Sequence, residues 1–194
     1  MGQKINDTSN KYEKKIITIP NILSFFRLCL IPVIVWLYSV DHNYVLSGYI
    51  LILSGITDMV DGYIARRFHM ISNLGKILDP IADKLTQGIM LLCLLLRFRF
   101  MIVPFVLMIA KEIFMSISGI LLIQRTGIVC GAEWHGKAAT CFLYGMMILH
   151  VFWYEITPEV STLCIIACTL MIGISLGLYG VRNIRMIKKA NENK

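Results

Sequence analysis

Long apolar stretches alternate with short polar breaks along most of this chain. A helix needs roughly 20 largely apolar residues to cross ~30 Å of hydrocarbon. Six stretches have about this length: 22–40, 45–65, 75–97, 100–123, 136–154 and 159–181. The connections between them are short, which favours antiparallel neighbours. The pattern therefore predicts an all-α integral membrane protein whose six transmembrane helices form one bundle.

Composition supports lipid as the main solvent of this chain. Hydrophobic residues make up 57% of it and charged residues 16%, whereas soluble domains carry roughly 25% charged residues. The net charge of +7 lies in short flanks of the apolar stretches, where it favours anionic lipid headgroups. No basic stripe interleaved with aromatic residues appears, which argues against nucleic acid as a partner.

The charge pattern divides the chain into three regions. An N-terminal cytoplasmic or interfacial segment at 1–21, with a short interfacial helix, precedes the six-helix membrane domain at 22–183, and a basic cytoplasmic tail follows at 184–194. Lys and Arg concentrate at the termini and in the loops at 66–69 and 124–135. Because cytoplasmic loops are enriched in Lys and Arg, we expect these parts to face the cytoplasm.

Four aspartates interrupt the second and third apolar stretches. Asp58 and Asp61 are three residues apart, and Asp79 and Asp83 are four apart, so each pair shares one face of a helix. Gly75 adds a position of close approach to the second face. Each aspartate costs on the order of 3 kcal/mol at the centre of a span, less near its ends. The arrangement is therefore expected to bind cations.

Carboxylate ligands without histidine favour hard divalent ions, so we predict two Mg²⁺ or Mn²⁺ ions shared by the four aspartates. Arg66, Gly62 and Ser72 lie close by in the sequence and point to a phosphate or diphosphate ligand. Two metals and an arginine suit a displacement at phosphorus. Two alternatives stay open: aspartates that only hold helices together through an arginine, and a carboxylate-lined ion transporter.

The spacing Asp58-x2-Asp61-Gly62-x2-Ala65-Arg66-x8-Gly75-x3-Asp79-x3-Asp83 resembles the signature of the CDP-alcohol phosphotransferases, with every fixed position present. Pro20-Asn21-Ile22-Leu23-Ser24 and Arg27 also resemble the N-terminal stretch of bacterial phosphatidylglycerophosphate synthases. The resemblance implies a six-span bundle in the bacterial cytoplasmic membrane, with the active site facing the cytoplasm, and a homodimer.

The same resemblance implies roles for individual residues. Asp58, Asp61 and Asp79 would bind two metal ions, with Asp83 as a further ligand and the general base. CDP-diacylglycerol, the lipid substrate, would contact a further set of residues: Asn21, Ser24, Gly62, Arg66, Ser72 and Gly75. The implied reaction is attack of an alcohol on the lipid-bearing phosphorus, with release of CMP.

The acceptor alcohol is less clearly indicated. Lys111, Lys137 and Arg125 are cationic candidates for an anionic acceptor, although an ion pair for Lys111, a snorkelling side chain for Lys137 and a solvated loop charge for Arg125 are alternatives. Glycerol 3-phosphate is favoured by a small margin. The run from Gly136 to Thr140 also resembles relatives that use phosphatidylglycerol to make cardiolipin, and inositol phosphate and serine carry less weight. His69 and His135 are predicted to be solvated loop residues.

Overall fold

The structure is a computed structural model that describes residues 18–67, 75–126, 133–153 and 155–192, and all regular structure within these ranges is helical. The helices follow the apolar stretches, because a backbone in lipid must satisfy its own hydrogen bonds. They are α1 (Ile19–Ser39), α2 (Tyr44–Arg67), α3 (Gly75–Leu95), α4 (Ile102–Thr126), α5 (Trp134–Phe152) and α6 (Pro158–Glu192), with a 3₁₀ turn (Arg99–Met101) before α4. Each predicted helix has a counterpart here.

Four segments within these helices are long and apolar enough to cross a membrane, which makes this an integral membrane protein. They are Pro20–Ser39, Tyr44–Ile64, Arg99–Gln124 and Pro158–Met186. The other two helices, α3 and α5, lie where spans were predicted but carry more polar sequence. Charged residues interrupt the apolar sequence of α3, namely Asp79, Asp83 and Lys84. The first turn of α5 contains a histidine and a lysine. For α3 and α5, the prediction that they cross the membrane therefore rests on the sequence.

Two helix ends differ from the prediction. The first apolar stretch predicted a helix from residue 22, but α1 begins at Ile19, and the extended residue before it is Thr18. Pro20 then lies in the first turn, where its missing N–H costs nothing. α6 continues to Glu192, well beyond the predicted end at residue 181. Residues 182–192 include two Arg, two Lys, one Met and one Ala, which are good helix formers.

The chain divides into two compact units, residues 1–90 and 91–194. In the first unit, α1 and α2 pack along each other, and their shared face is lined by Ile31, Ile34, Leu37, Tyr38 and Leu51, all buried. α3 enters this unit with its N-terminal part, which carries Asp79 and Asp83. Pro80 lies inside α3, and the helix continues across it.

In the second unit, α6 packs against both α4 and α5. The apolar part of its buried face includes Ile165, Cys168, Ile172 and Tyr179, residues three to seven apart as a helix face requires. The outward side of α4 is almost entirely apolar and exposed, from Ile102 to Ile123. Such a surface suits lipid rather than water.

Candidate active site

The C-terminal half of α2 and the start of α3 bring the four aspartates into one region of the first unit. Asp61 is buried (2% exposed), whereas Asp58, one turn earlier, has 40% of its side chain exposed. Asp79 and Asp83 are both partly buried on α3. Asp58 lies close enough to Asp79 and Asp83 for their charges to act on it, and Asp61 is similarly influenced by Asp79. The two pairs therefore converge.

Arg27 of α1 joins the α2 pair. Its Nη1 donates a hydrogen bond to Asp58 Oδ1, and its Nη2 donates one to Asp61 Oδ2. Arg27 is fully buried, and burying a guanidinium in an apolar interior is favourable only when it is paired and hydrogen-bonded. The guanidinium and the two carboxylates therefore stabilise one another inside the helix bundle.

Each aspartate of α3 also has a polar neighbour. The Ser24 hydroxyl of α1 is in hydrogen-bond contact with Asp79 Oδ1 and lies 2.9 Å from the Pro20 carbonyl oxygen, so its one proton serves one of the two. Gln87, one turn after Asp83, donates its Nε2 hydrogen to Asp83 Oδ1 at 2.8 Å. Asp83 Oδ2 lies 3.7 Å from Lys84 Nζ. These contacts orient carboxylates that would otherwise rotate freely.

Hard divalent ions suit this donor set, because carboxylate oxygens are their preferred ligands. Among the described residues, however, no three His, Cys, Asp or Glu side chains already surround a common point. Arg27 supplies part of the positive charge that such ions would bring. The chemistry of the site fits a metal, and binding would require Asp58 and Asp61 to share or exchange their arginine.

The residues predicted to contact the lipid substrate lie on three different helices or outside the described residues. Asn21 and Ser24 are buried on the face of α1 that carries Arg27. Gly62 follows Asp61 on α2, and Gly75 is the first residue of α3. Arg66 lies near the end of α2, but its side chain is outside the described residues, as is the whole of Ser72. Their roles toward a ligand stay predictions.

The acceptor candidates belong to the second unit. Lys111 is buried on α4, with its Nζ 3.9 Å from Glu112 Oε1, which matches the ion pair considered as its alternative. Lys137 is exposed in the first turns of α5. Arg125 lies near the end of α4, and its side chain is outside the described residues. A role in acceptor binding stays a prediction for all three.

His135 is not the solvated loop residue that the sequence predicted. It lies in the first turn of α5 and is buried, with Nδ1 3.2 Å from Ser175 Oγ of α6. The Tyr179 ring packs edge-on against it, and the Tyr179 hydroxyl accepts a hydrogen bond from the Glu133 backbone N–H at 2.9 Å. Residues of α6, about forty positions later in the sequence, therefore bury His135.

Arg27 is the main site residue for which the sequence predicted no role. One signal was available: a charged residue inside an apolar helix, three residues after Ser24 and six after Asn21, hence on the same helix face. Gln87 was also missed, and its only signal is its position one turn after Asp83. Arg182, which contacts Glu133 and lies over the Tyr179 ring, gave no signal beyond being a basic flank residue.

Comparison with known proteins identifies the family. Residues 17–177 match the family model described as CDP-alcohol phosphatidyltransferase. The chain belongs to the CDP-alcohol phosphatidyltransferase family. The match includes all four aspartates and Arg27, so the convergence described above lies inside the family region.

Several relatives of this phosphatidyltransferase family member carry names of enzymes. A protein of Aquifex aeolicus, named CDP-diacylglycerol--glycerol-3-phosphate 3-phosphatidyltransferase, is 30% identical over 177 residues, which cover 88% of this chain and 98% of the relative. One of Rickettsia typhi with the same name is 37% identical over 100 residues, 50% of this chain. The match spans only about half, 56%, of that relative's length. A cardiolipin synthase (CMP-forming) of Streptomyces coelicolor is 42% identical over 76 residues, covering 37% of this chain and 35% of the relative.

Proposed function

We propose that this protein transfers the phosphatidyl group of CDP-diacylglycerol to glycerol 3-phosphate and releases CMP. The convergence of Asp58, Asp61, Asp79 and Asp83 beside Arg27 carries the proposal, because it places hard anionic ligands at a helix junction in a member of this family. The Aquifex relative, which aligns along nearly its whole length, supports the choice of acceptor through its name.

Two Mg²⁺ or Mn²⁺ ions would be held by the four aspartates. When bound, they would neutralise the diphosphate and so ease departure of CMP. The acceptor hydroxyl oxygen forms a bond to the lipid-bearing phosphorus as the bond from that phosphorus to the CMP oxygen breaks. Asp83 takes the hydroxyl proton, and the Gln87 amide and Lys84 Nζ, which contact its Oδ1 and Oδ2, would orient the carboxylate.

The protein's arrangement in the membrane follows from the same proposal. Six spans would cross the bilayer, including α3 and α5, with both termini and the aspartates toward the cytoplasm, where glycerol 3-phosphate and CMP are soluble. The protein would form a homodimer through its spans. Reporter fusions after residue 70 and after residue 155 test the orientation, because the two positions are expected on opposite sides.

A second candidate is cardiolipin synthase, with phosphatidylglycerol as the acceptor. It is favoured by the Streptomyces relative, whose printed name states that activity. Both candidates share the lipid donor and release CMP. They differ in whether the acceptor is soluble and phosphorylated or is itself a lipid.

The deciding experiment measures labelled CMP released from CDP-diacylglycerol by the purified protein with Mn²⁺, offering each acceptor in turn. We expect release with glycerol 3-phosphate and formation of phosphatidylglycerophosphate. Release only with phosphatidylglycerol would establish the second candidate. Failure to release CMP with any acceptor, together with ion flux in vesicles, would contradict both and identify a transporter. EDTA in place of Mn²⁺ is the control for metal dependence.

A further inference from the structure

Arg27 occupies an unusual position for a basic residue in a membrane helix. It is the largest fully buried side chain among the described residues, whereas arginines in spans commonly extend toward the headgroups. Its two terminal nitrogens bind different carboxylates, Asp58 and Asp61, one helical turn apart. Arg27 therefore bridges two aspartates rather than forming a bidentate pair with a single carboxylate.

Charge explains why this bridge forms. The four aspartates carry a formal charge of −4, and Arg27 and Lys84 contribute +1 each, which leaves −2 in a partly buried region. Carboxylates so close repel one another unless cations lie between them. An arginine stays protonated at any ordinary pH, so Arg27 is a permanent counter-ion for the α2 pair.

The bridge is incomplete on the arginine side. Arg27 Nε is buried and finds no hydrogen-bond partner among the described residues. A guanidinium whose five N–H groups were all engaged would be fixed in place, whereas within the described part of the chain Arg27 is hydrogen-bonded through the two carboxylates alone. Those carboxylates are also the ones that a divalent ion would require.

We propose that Arg27 is the counter-ion of the aspartate cluster in the metal-free protein, and that divalent ions displace it from Asp58 or Asp61 when they bind. Arg27 then keeps the cluster folded without metal and weakens metal affinity in return. The inference rests on the proposed function in one respect, that divalent ions bind at these aspartates. Arg27 is a positioning residue here, since it acts through the carboxylates.

The test uses the full-length protein in detergent, purified with Mn²⁺ and then stripped with EDTA. We compare wild type with Arg27→Gln, which removes the charge, and Arg27→Lys, which retains it. Arg99→Gln is the matched control, because Arg99 is exposed and lies in the 3₁₀ turn of the second unit. The melting temperature and the Mn²⁺ affinity are measured for each protein. The affinity is obtained from the electron paramagnetic resonance signal of free Mn²⁺.

In EDTA, we expect Arg27→Gln to melt about 5 °C or more below wild type, because Asp58 and Asp61 lose their counter-ion. We expect the same variant to bind Mn²⁺ at least about tenfold more tightly, because a positive charge next to the metal position has been removed. Mn²⁺ should therefore raise its melting temperature more than that of wild type. Arg27→Lys should retain affinity near wild type, and Arg99→Gln should match wild type in both measurements.

Weaker Mn²⁺ binding by the folded Arg27→Gln protein would overturn the proposal, since it would show that Arg27 supports the metal site. An unchanged melting temperature in EDTA would also overturn it. If wild type binds Mn²⁺ and releases CMP while Arg27→Gln binds no more tightly, this inference alone fails. If wild type neither binds Mn²⁺ nor releases CMP, the inference and the proposed function fail together.

Discussion

The two units of this protein bury polar groups in different ways. In the first unit, two charged side chains, Arg27 and Asp61, are buried beside neutral ones such as Ser24 and Gln87, and Arg27 also pairs with the partly exposed Asp58. In the second, most are neutral and paired across helices, as in His150 Nε2 to Ser161 Oγ at 2.9 Å and Asn183 Nδ2 to Ser118 Oγ at 2.8 Å.

The contrast distinguishes buried charges, which a charged ligand would require, from neutral hydrogen bonds, which join helices. Neutral hydrogen bonds between membrane helices stabilise the packing by a modest amount, about 0.6 kcal/mol on average. Buried charges are expensive and are retained where a charged ligand requires them. Lys111, which is buried near Glu112 in α4, is the exception in the second unit, and it is also one of the three residues there that the sequence predicted for the acceptor.

Asp83→Asn should give the largest effect. Turnover is expected to fall by about 10²–10⁴, because the amide cannot accept the hydroxyl proton, while binding of CDP-diacylglycerol is retained. CMP release and binding of the labelled lipid are measured on the same preparation. Asp41→Asn is the control, since Asp41 is exposed in the turn between α1 and α2. Near-normal turnover in Asp83→Asn would remove its assignment as base.

Gly136→Ala should destabilise the second unit without touching the charged cluster. A Cβ at Gly136 would lie 3.1 Å from the Tyr179 ring carbon Cε2 and closer still to its hydroxyl. Overpacking of this kind costs about 1–3 kcal/mol, seen as a lower melting temperature. Gly145→Ala, in the same helix with nothing within 4 Å of the new methyl, should not lower it. Equal losses in the two variants would contradict the close approach of Tyr179.

Ser161→Ala tests a neutral pair directly. It removes the donor to His150 Nε2, and we expect a loss of about 1 kcal/mol in stability with turnover per folded molecule unchanged. Thr162→Val is the control, because the Thr162 hydroxyl bonds only to the Pro158 carbonyl oxygen of its own helix at 2.7 Å. A loss of turnover in Ser161→Ala that exceeds its loss of folded protein would show that this pair does more than join α5 to α6.

Glu133→Gln should give the smallest effect. Its carboxylate lies 3.0 Å from Arg182 Nη1, but 42% and 22% of the two side chains are exposed. Water and salt screen such pairs, so the loss should be about 0.5 kcal/mol or less. Melting temperatures of wild type and variant, measured across a salt series, should converge at high salt. A difference that persists there would indicate a role for Glu133 other than its charge.

The helices and the aspartate faces were predictable because they depend on local pattern. Runs of apolar residues predicted all six α-helices, and the spacings of three and four residues placed each aspartate pair on one face. The family resemblance was confirmed over most of the chain. The helices and the aspartate faces can be predicted from the helical repeat and from the free-energy cost of placing charge in lipid.

What could not be predicted depends on contacts between distant residues. Arg27 meets Asp58 only through the packing of α1 against α2, and no spacing in the sequence encodes that register. His135 was taken for a loop residue because Ser175 and Tyr179, which bury it, are about forty residues away. The depth of α3 and α5 in the membrane depends on contacts for a related reason: both are too polar for hydropathy alone to mark them as spans among the described residues.

The length of α6 has a practical consequence for experiments on living cells. At 1.5 Å per residue, its 35 residues extend for about 52 Å, roughly 20 Å more than the hydrocarbon core is thick. With Pro158–Met186 as the span, the end of the helix that carries Lys188 continues beyond the apolar segment as a helical spacer. A fluorophore attached at Glu192 would be held clear of the headgroups and would report on the surrounding water rather than on the bilayer.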